Sequence, residues 1–227
     1  MNPPLAGSIS ERIAQIQQTL PASVRLIAVT KQVSVEAMRE AYEAGVRDFG
    51  ESRVQEAELK QSQLSDLTDI VWHLIGHLQA NKVQKAVQIF QWIHSVDSLK
   101  LAQRIDRIAE SLNQTPNLCL QIKMMPDPTK YGWTVPELFT EMSALDALEH
   151  VNIRGIMTIP PLGLSDSKLL QLFQETQQLA TKIRMANLSR INLQELSMGM
   201  SNDYPTAIQA GSTMVRLGRI LFGDRDH

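Results

Sequence analysis

Two hydrophobic periods alternate along the chain. Ile9, Ile13, Ile16 and Leu20 recur at helical spacing and predict an amphipathic N-terminal helix over about 9–20. The run from Val24 to Thr30 is rich in β-branched residues and predicts a strand. The helix after it is capped by Ser34 and stopped by Gly45. The same strand-then-helix unit repeats. Further strands are expected at Val46 to Gly50, Ile70 to Gly76, Ile89 to Ser95, Leu118 to Met124, Val151 to Ile159, Leu193 to Met198 and Thr213 to Leu217. A long helix from Ser165 to Asn187 separates the sixth strand from the seventh.

Alternating strands and helices imply parallel pairing with right-handed crossovers, and eight repeats of about 28 residues suit a closed (β/α)8 barrel of the TIM type. An open doubly wound sheet is the competing topology. The 10 prolines and 11 glycines are scattered through turns rather than gathered in a linker, so a single domain over residues 1–227 is expected.

Composition narrows the function classes. Twenty-two Lys+Arg against 24 Asp+Glu leave a net charge of −2, which provides no field for bulk nucleic-acid binding. The N-terminus lacks the basic and apolar regions of a signal peptide, and no stretch approaches the ~18 apolar residues of a transmembrane helix. A cytoplasmic location without membrane contact follows as the expectation. The one cysteine, Cys119, lies in the apolar run Leu118-Cys119-Leu120. It therefore reads as a buried strand residue, with neither an intrachain disulfide nor a cysteine zinc cluster available. His73 and His77 are four apart but sit at a strand ending, where that spacing separates the rings, so no metal site is expected.

In a barrel of this type the chemistry belongs to strand C-termini and the loops that follow them. Lys31 closes strand 1, where an apolar strand end can lower an ammonium pKa and expose a nucleophilic amine; a solvated lysine is the plainer alternative. Ser201 follows strand 7 and Gly218 follows strand 8, the two loops that commonly form a barrel's phosphate cup. Taken singly, they also fit a helix cap and a tight turn. Arg216, two residues before Gly218, faces the barrel mouth by strand alternation, and its acceptor is either a structural carboxylate or a ring nitrogen of a cofactor. Met157 and Met200, near strand ends, are candidates to line that cofactor. The segment from Met125 to Gly132 reads as an ordered but mobile lid carrying Lys130, whereas Lys82 and Lys85 read as solvated. A lysine nucleophile, a phosphate cup and an inward arginine together suit pyridoxal 5′-phosphate (PLP).

Ordered motifs then extend over nearly the whole chain: AVTK at 28–31, FGESRVQE at 49–56, WHLIGHLQANK at 72–82, IHSVDS at 93–98, RGIMTIP at 154–160, SMGMSND at 197–203 and AIQAGSTMVRLG at 207–218. In these motifs the sequence resembles the YggS/PLPBP (PROSC) family of pyridoxal phosphate homeostasis proteins. The resemblance implies a barrel similar to the N-terminal domain of alanine racemase, PLP fold type III. It also implies that Lys31 forms the Schiff base, Arg216 faces the pyridine nitrogen, and Ser201, Gly218 and Arg219 hold the phosphate. The family carries asparagine where Ser52 stands, which shortens the reach from this position to the cofactor ring.

What the resemblance implies functionally is intracellular PLP homeostasis without substantial turnover, with PLP-dependent apo-enzymes as partners and a monomer or weak dimer as the oligomeric state. A small PLP enzyme such as an amino-acid racemase is the alternative. Racemases of similar fold add a β-rich domain and a catalytic tyrosine across a dimer. Here the eighth unit ends within a few residues of Gly223, and Tyr131 is the nearest tyrosine to the site. A Schiff-base aldolase, the third reading, lacks a clear acid–base partner.

Overall fold

The computed structural model describes residues 6–127 and 129–223. Pro128, within the expected lid, and the two ends of the expected 1–227 domain lie outside them. A closed parallel barrel is formed by β1 (Arg25–Val29), β2 (Asp48–Glu51), β3 (Val71–Leu74), β4 (Trp92–Val96), β5 (Asn117–Gln121), β6 (Asn152–Met157), β7 (Glu195–Met200) and β8 (Met214–Leu217). Closure comes from β8 pairing in parallel with β1, with Ile27 opposite Arg216. A doubly wound open sheet is thereby ruled out.

Around the barrel run α1 (Ile9–Thr19), α2 (Val35–Glu43), α3 (Val54–Gln63), α4 (Val83–Ile89), α5 (Leu99–Leu112), α6 (Val135–Asp146), α7 (Asp166–Met185), α8 (Tyr204–Gln209) and α9 (Arg219–Phe222). Their starts follow capping chemistry. Ser8 and Thr134 form full capping boxes with Glu11 and Glu137, and the Ser34 hydroxyl accepts from the Ala37 N–H. Gly45, at φ +96°, reverses the chain after α2. Among the described residues no helix is long and apolar enough to cross a membrane.

Several strand limits differ from the sequence expectation. Ile89 closes α4 instead of opening β4, because Val83, Ala86 and Val87 bury one helical face against the barrel. β5 stops at Gln121, and Ile122 makes only an isolated bridge to Trp133. β7 runs two residues further than expected and carries Met200 to the rim.

The interior is filled by alternate residues of the strands. Ile27, Trp92, Cys119, Met157 and Met214 form its apolar part, and Cys119 is fully buried as its flanking leucines imply. Beside this cluster His73, His94, Ser197 and Arg216 make a buried polar group, with His73 opposite Trp92, Ser197 opposite Met157 and Arg216 opposite Ile27 in the strand register. The outward residues join the larger core under the helices.

Candidate functional site

A cavity of about 840 Å³ opens at the C-terminal ends of the strands. Lys31, Ser52, Met200, Ser201, Arg216 and Gly218 all line it, and Arg219 borders it beside Gly218. Seven of the eight residues predicted from the sequence are thus brought together. Met157 is the exception. It stands on the inward face of β6 but one layer too deep, 1% exposed within the apolar interior, while Ile159 two residues later takes the place at the mouth.

Lys31 is set by the residues on either side. The Thr30 N–H donates to the Gly50 carbonyl (2.9 Å), continuing the β1–β2 ladder beyond Val29. The Lys60 ammonium, buried on α3, donates to the Thr30 carbonyl (2.6 Å), to Glu51 Oε1 (2.8 Å) and to Glu56 Oε1 (2.7 Å). Glu56 Oε1 in turn accepts from the Gln32 N–H (2.6 Å), and Gln32 occupies the left-handed region at φ +60°. Both peptide neighbours of Lys31 are therefore held by one ion-paired cluster. Burial pushes the Glu51 carboxyl above its ordinary range despite its bonds to Lys60 and Thr30, and its Oε2 has no hydrogen-bond partner among the described residues.

Ser52 reaches the rim because Gly76 yields to it. A Cβ at Gly76 would lie 2.2 Å from the Ser52 carbonyl oxygen, so only glycine lets the β2 and β3 loops approach this closely. On the opposite wall the Ser201 Oγ accepts from the Ile220 N–H of α9 (3.4 Å), joining the loop after β7 to the turn after β8. The Arg219 guanidinium donates to Asn202 Oδ1 (2.7 Å) across the same gap. The Met200 N–H donates to Asp203 Oδ1 (2.5 Å), and burial pushes that carboxyl up.

Arg216 is 4% exposed, and among the described residues no carboxylate ion-pairs with it, although the charge of Asp203 favours its cationic form; oxygens of the barrel wall hold it. Its Nη1 donates to the carbonyl and to the hydroxyl (2.7 Å) of Ser197, and Nη2 donates to the Thr158 carbonyl (3.1 Å). Desolvation pulls its pKa down to about 10, which still leaves it cationic at neutral pH. These bonds use three of the five N–H groups of a guanidinium and leave donor capacity at the cavity.

The remaining sequence candidates fall outside the cavity. Tyr131 is 57% exposed and stacks on His77 with ring centroids 3.8 Å apart. His77 bonds to Asp97 (3.0 Å), whereas His73 points inward to Asp48 and His94, so the two rings serve different partners. Lys130 ties the loop after β5 to the loop after β6 by donating to the carbonyls of Pro160 (2.6 Å) and Ile159 (3.2 Å). Lys85 pairs with Glu58 at the surface (2.7 Å). Sequence reasoning missed Lys60, Asp203, Ser197 and His94 as parts of the site. Strand parity was the available signal for the last two, which share the inward face with Arg216.

Residues 6–226 match the family model described as alanine racemase, N-terminal domain. The pyridoxal phosphate homeostasis protein of Synechocystis sp. is 53% identical over 212 residues, covering 93% of this chain and 96% of that protein. The protein of the same name from Escherichia coli K12 is 34% identical over 233 residues, covering 97% and 98%. PipY of Synechococcus elongatus, solved with PLP bound, superposes with a TM-score of 0.91 at 50% identity, covering 95% of this chain and all of that one. Alanine racemase of Clostridium difficile 630 shares the fold, with a TM-score of 0.78 at 19% identity over 97% of this chain and 60% of its own. The chain belongs to the alanine racemase N-terminal domain family, within the group of pyridoxal phosphate homeostasis proteins.

Proposed function

We propose that this protein binds PLP in the mouth of the barrel, through Lys31, and keeps it in exchangeable form for intracellular use without substantial turnover of amino acids. The observation that carries this reading is the convergence on one cavity of Lys31, the Arg216 fork and the Ser201–Gly218–Arg219 wall. PLP supplies an aldehyde that a lysine amine captures reversibly as a Schiff base.

The residues present fit that group. The cavity has ample room, and the amine after β1, the guanidinium on β8 and the phosphate donors after β7 and β8 all line it. Ser201 offers a hydroxyl proton, Arg219 a cation, and Gly218 a backbone that a phosphate oxygen can approach without meeting a Cβ. Arg216, cationic and without an acceptor atom, donates toward a ring nitrogen and does not yield its proton. That arrangement withholds the protonated ring on which carbanion chemistry depends, and supports holding over turnover. The exposed mouth suits exchange with PLP-dependent apo-enzymes, and we assign the protein to the cytoplasm as a monomer or weak dimer.

The test is borohydride reduction of the PLP-loaded protein followed by peptide mapping, with a parallel incubation with single-enantiomer amino acids. The label is expected on Lys31, with racemisation, transamination and decarboxylation no faster than with free PLP. A label on Lys82 or Lys130 overturns the site. Sustained turnover abolished by Lys31→Ala overturns the carrier reading.

A further inference from the structure

The buried polar group beside the apolar cluster is not used by the reading above, apart from Arg216 itself. Its contacts form an unbroken series. Asp48 Oδ1 lies 2.9 Å from His73 Nε2, His73 Nδ1 2.9 Å from His94 Nε2, His94 Nδ1 2.7 Å from Ser197 Oγ, and Ser197 Oγ 2.7 Å from Arg216 Nη1. His73 and His94 are fully buried and Ser197 is as well. The series runs from the N-terminal end of β2 up to the cavity.

Hydrogen-bond chemistry gives this series a direction. A guanidinium has only donors, so Ser197 Oγ accepts from Arg216. That hydroxyl has a second lone pair, so the direction is set from the other end: the Asp48 carboxylate only accepts, which puts the proton of a neutral His73 on Nε2 and leaves its Nδ1 to accept from His94 Nε2–H. A neutral His94 then presents an unprotonated Nδ1, to which the Ser197 hydroxyl donates. Every proton points away from the cavity. The charged groups facing the two rings are Asp48 on β2, Arg25 on β1 and Arg216 on β8. Burial, the dominant influence, holds both histidines below their ordinary range, and for His94 the two arginines add to it. A proton on His94 would place a second buried cation two contacts from Arg216.

We infer that Asp48, His73, His94 and Ser197 form a one-way hydrogen-bond chain that positions Arg216 toward the cavity, with His94 as its central positioning residue. Because the chain ends in a group with no acceptor, it cannot pass protons from one end of the barrel to the other; it acts as an anchor. Truncating it at His94 frees the Ser197 hydroxyl to turn toward Arg216 or a carbonyl and loosens the guanidinium. Glutamine at this position keeps an acceptor and a donor in the same molecule and can carry the same polarity.

The inference rests on the PLP reading only for its functional arm, and the experiment separates the two. In 15N-histidine-labelled protein without PLP, His73 and His94 are expected as neutral Nε2–H tautomers from pH 5.5 to 8.5. An Nδ1–H tautomer or a charged ring in that range overturns the chain. In PLP-loaded protein, His94→Leu is expected to shift the bound-cofactor absorbance and raise the PLP Kd at least tenfold, with His94→Gln within about twofold of wild type. A His94→Leu variant that folds and keeps both the wild-type spectrum and Kd overturns the positioning role. Should His94→Leu not fold, Ser197→Ala decides: it is expected to shift the His94 Nδ1 nitrogen resonance and the bound-cofactor absorbance, and a folded Ser197→Ala variant with both unchanged refutes the link. Wild-type protein that takes up no PLP refutes the cofactor reading and leaves the tautomer result standing.

Discussion

Lys60→Met removes one ammonium from three acceptors at once. The Glu51 carboxylate, fully buried, then loses its counterion and keeps only the Thr30 hydroxyl (2.7 Å) as a donor. Taking one partner from a buried ion pair costs about 3–5 kcal/mol. Methionine retains the stem's packing, so the lower end, about 3 kcal/mol, is expected. For a chain of this size that corresponds to a melting temperature lower by roughly 6–12 °C. The loss has a defined pH dependence. Glu51 already has a folded pKa above its unfolded value, and removing Lys60 raises it further. A carboxyl with a raised folded pKa binds more protons folded than unfolded, so stability falls as pH rises through that folded value. The variant should therefore be closer to wild type at pH 5 than at pH 8. Glu51→Gln added to Lys60→Met should restore part of the pH 8 loss, since the amide needs no counterion. Calorimetric melts of the three proteins at both pH values decide the matter. A Lys60→Met loss below about 1 kcal/mol at pH 8, or the same loss at both pH values, refutes the claim that Lys60 neutralises Glu51 beneath Lys31.

Ser201→Ala should weaken PLP retention by about 1–3 kcal/mol, roughly 5- to 150-fold in Kd, as one hydrogen bond to a charged group is lost; equilibrium ultrafiltration measures it. Gly199→Ala should destabilise by about 2–4 kcal/mol in chemical denaturation. Gly199 sits at φ +98°, and a Cβ there would meet the Ala207 Cβ at 2.8 Å. Tyr131→Phe should leave PLP affinity and spectrum unchanged by titration, because the ring stacks on His77 outside the cavity and its hydroxyl has no part in the site.

The barrel was legible because each parallel strand is buried on both faces and shows as a short apolar run, while Ser34, Ser165 and Gly45 marked helix ends by local chemistry alone. Strand limits were less so. Ile89 is apolar in either element, and only its packing on α4 separates helix from strand. The rim residues Lys31, Ser201, Gly218 and Arg216 could be found because each lies within two residues of a strand end. Lys60 could not. It occupies an otherwise polar stretch of α3, and its burial depends on Glu51 and Thr30 arriving from two other elements. Met157 shows the complementary limit, since parity gives the face of a strand but not the depth along the barrel axis. The Arg216 acceptors were hidden for a related reason: two of the three are backbone carbonyls, which leave no mark in a sequence.

The contact between His94 and Ser197 has a mechanical consequence. Wall hydrogen bonds run around the circumference like the hoops of a cask, and hoops resist stretching but not flattening. β4 and β7 are not neighbours in the barrel, and the bond between these two residues, 103 positions apart, crosses the lumen as a spoke. A spoke fixes a diameter. Thermal ovalisation of the cross-section, the softest deformation open to a ring of strands, would have to break it. The walls at β4 and β7 are thereby held at a fixed distance just below the rim, and Arg216, bonded to Ser197 at one end of that spoke, is braced with them.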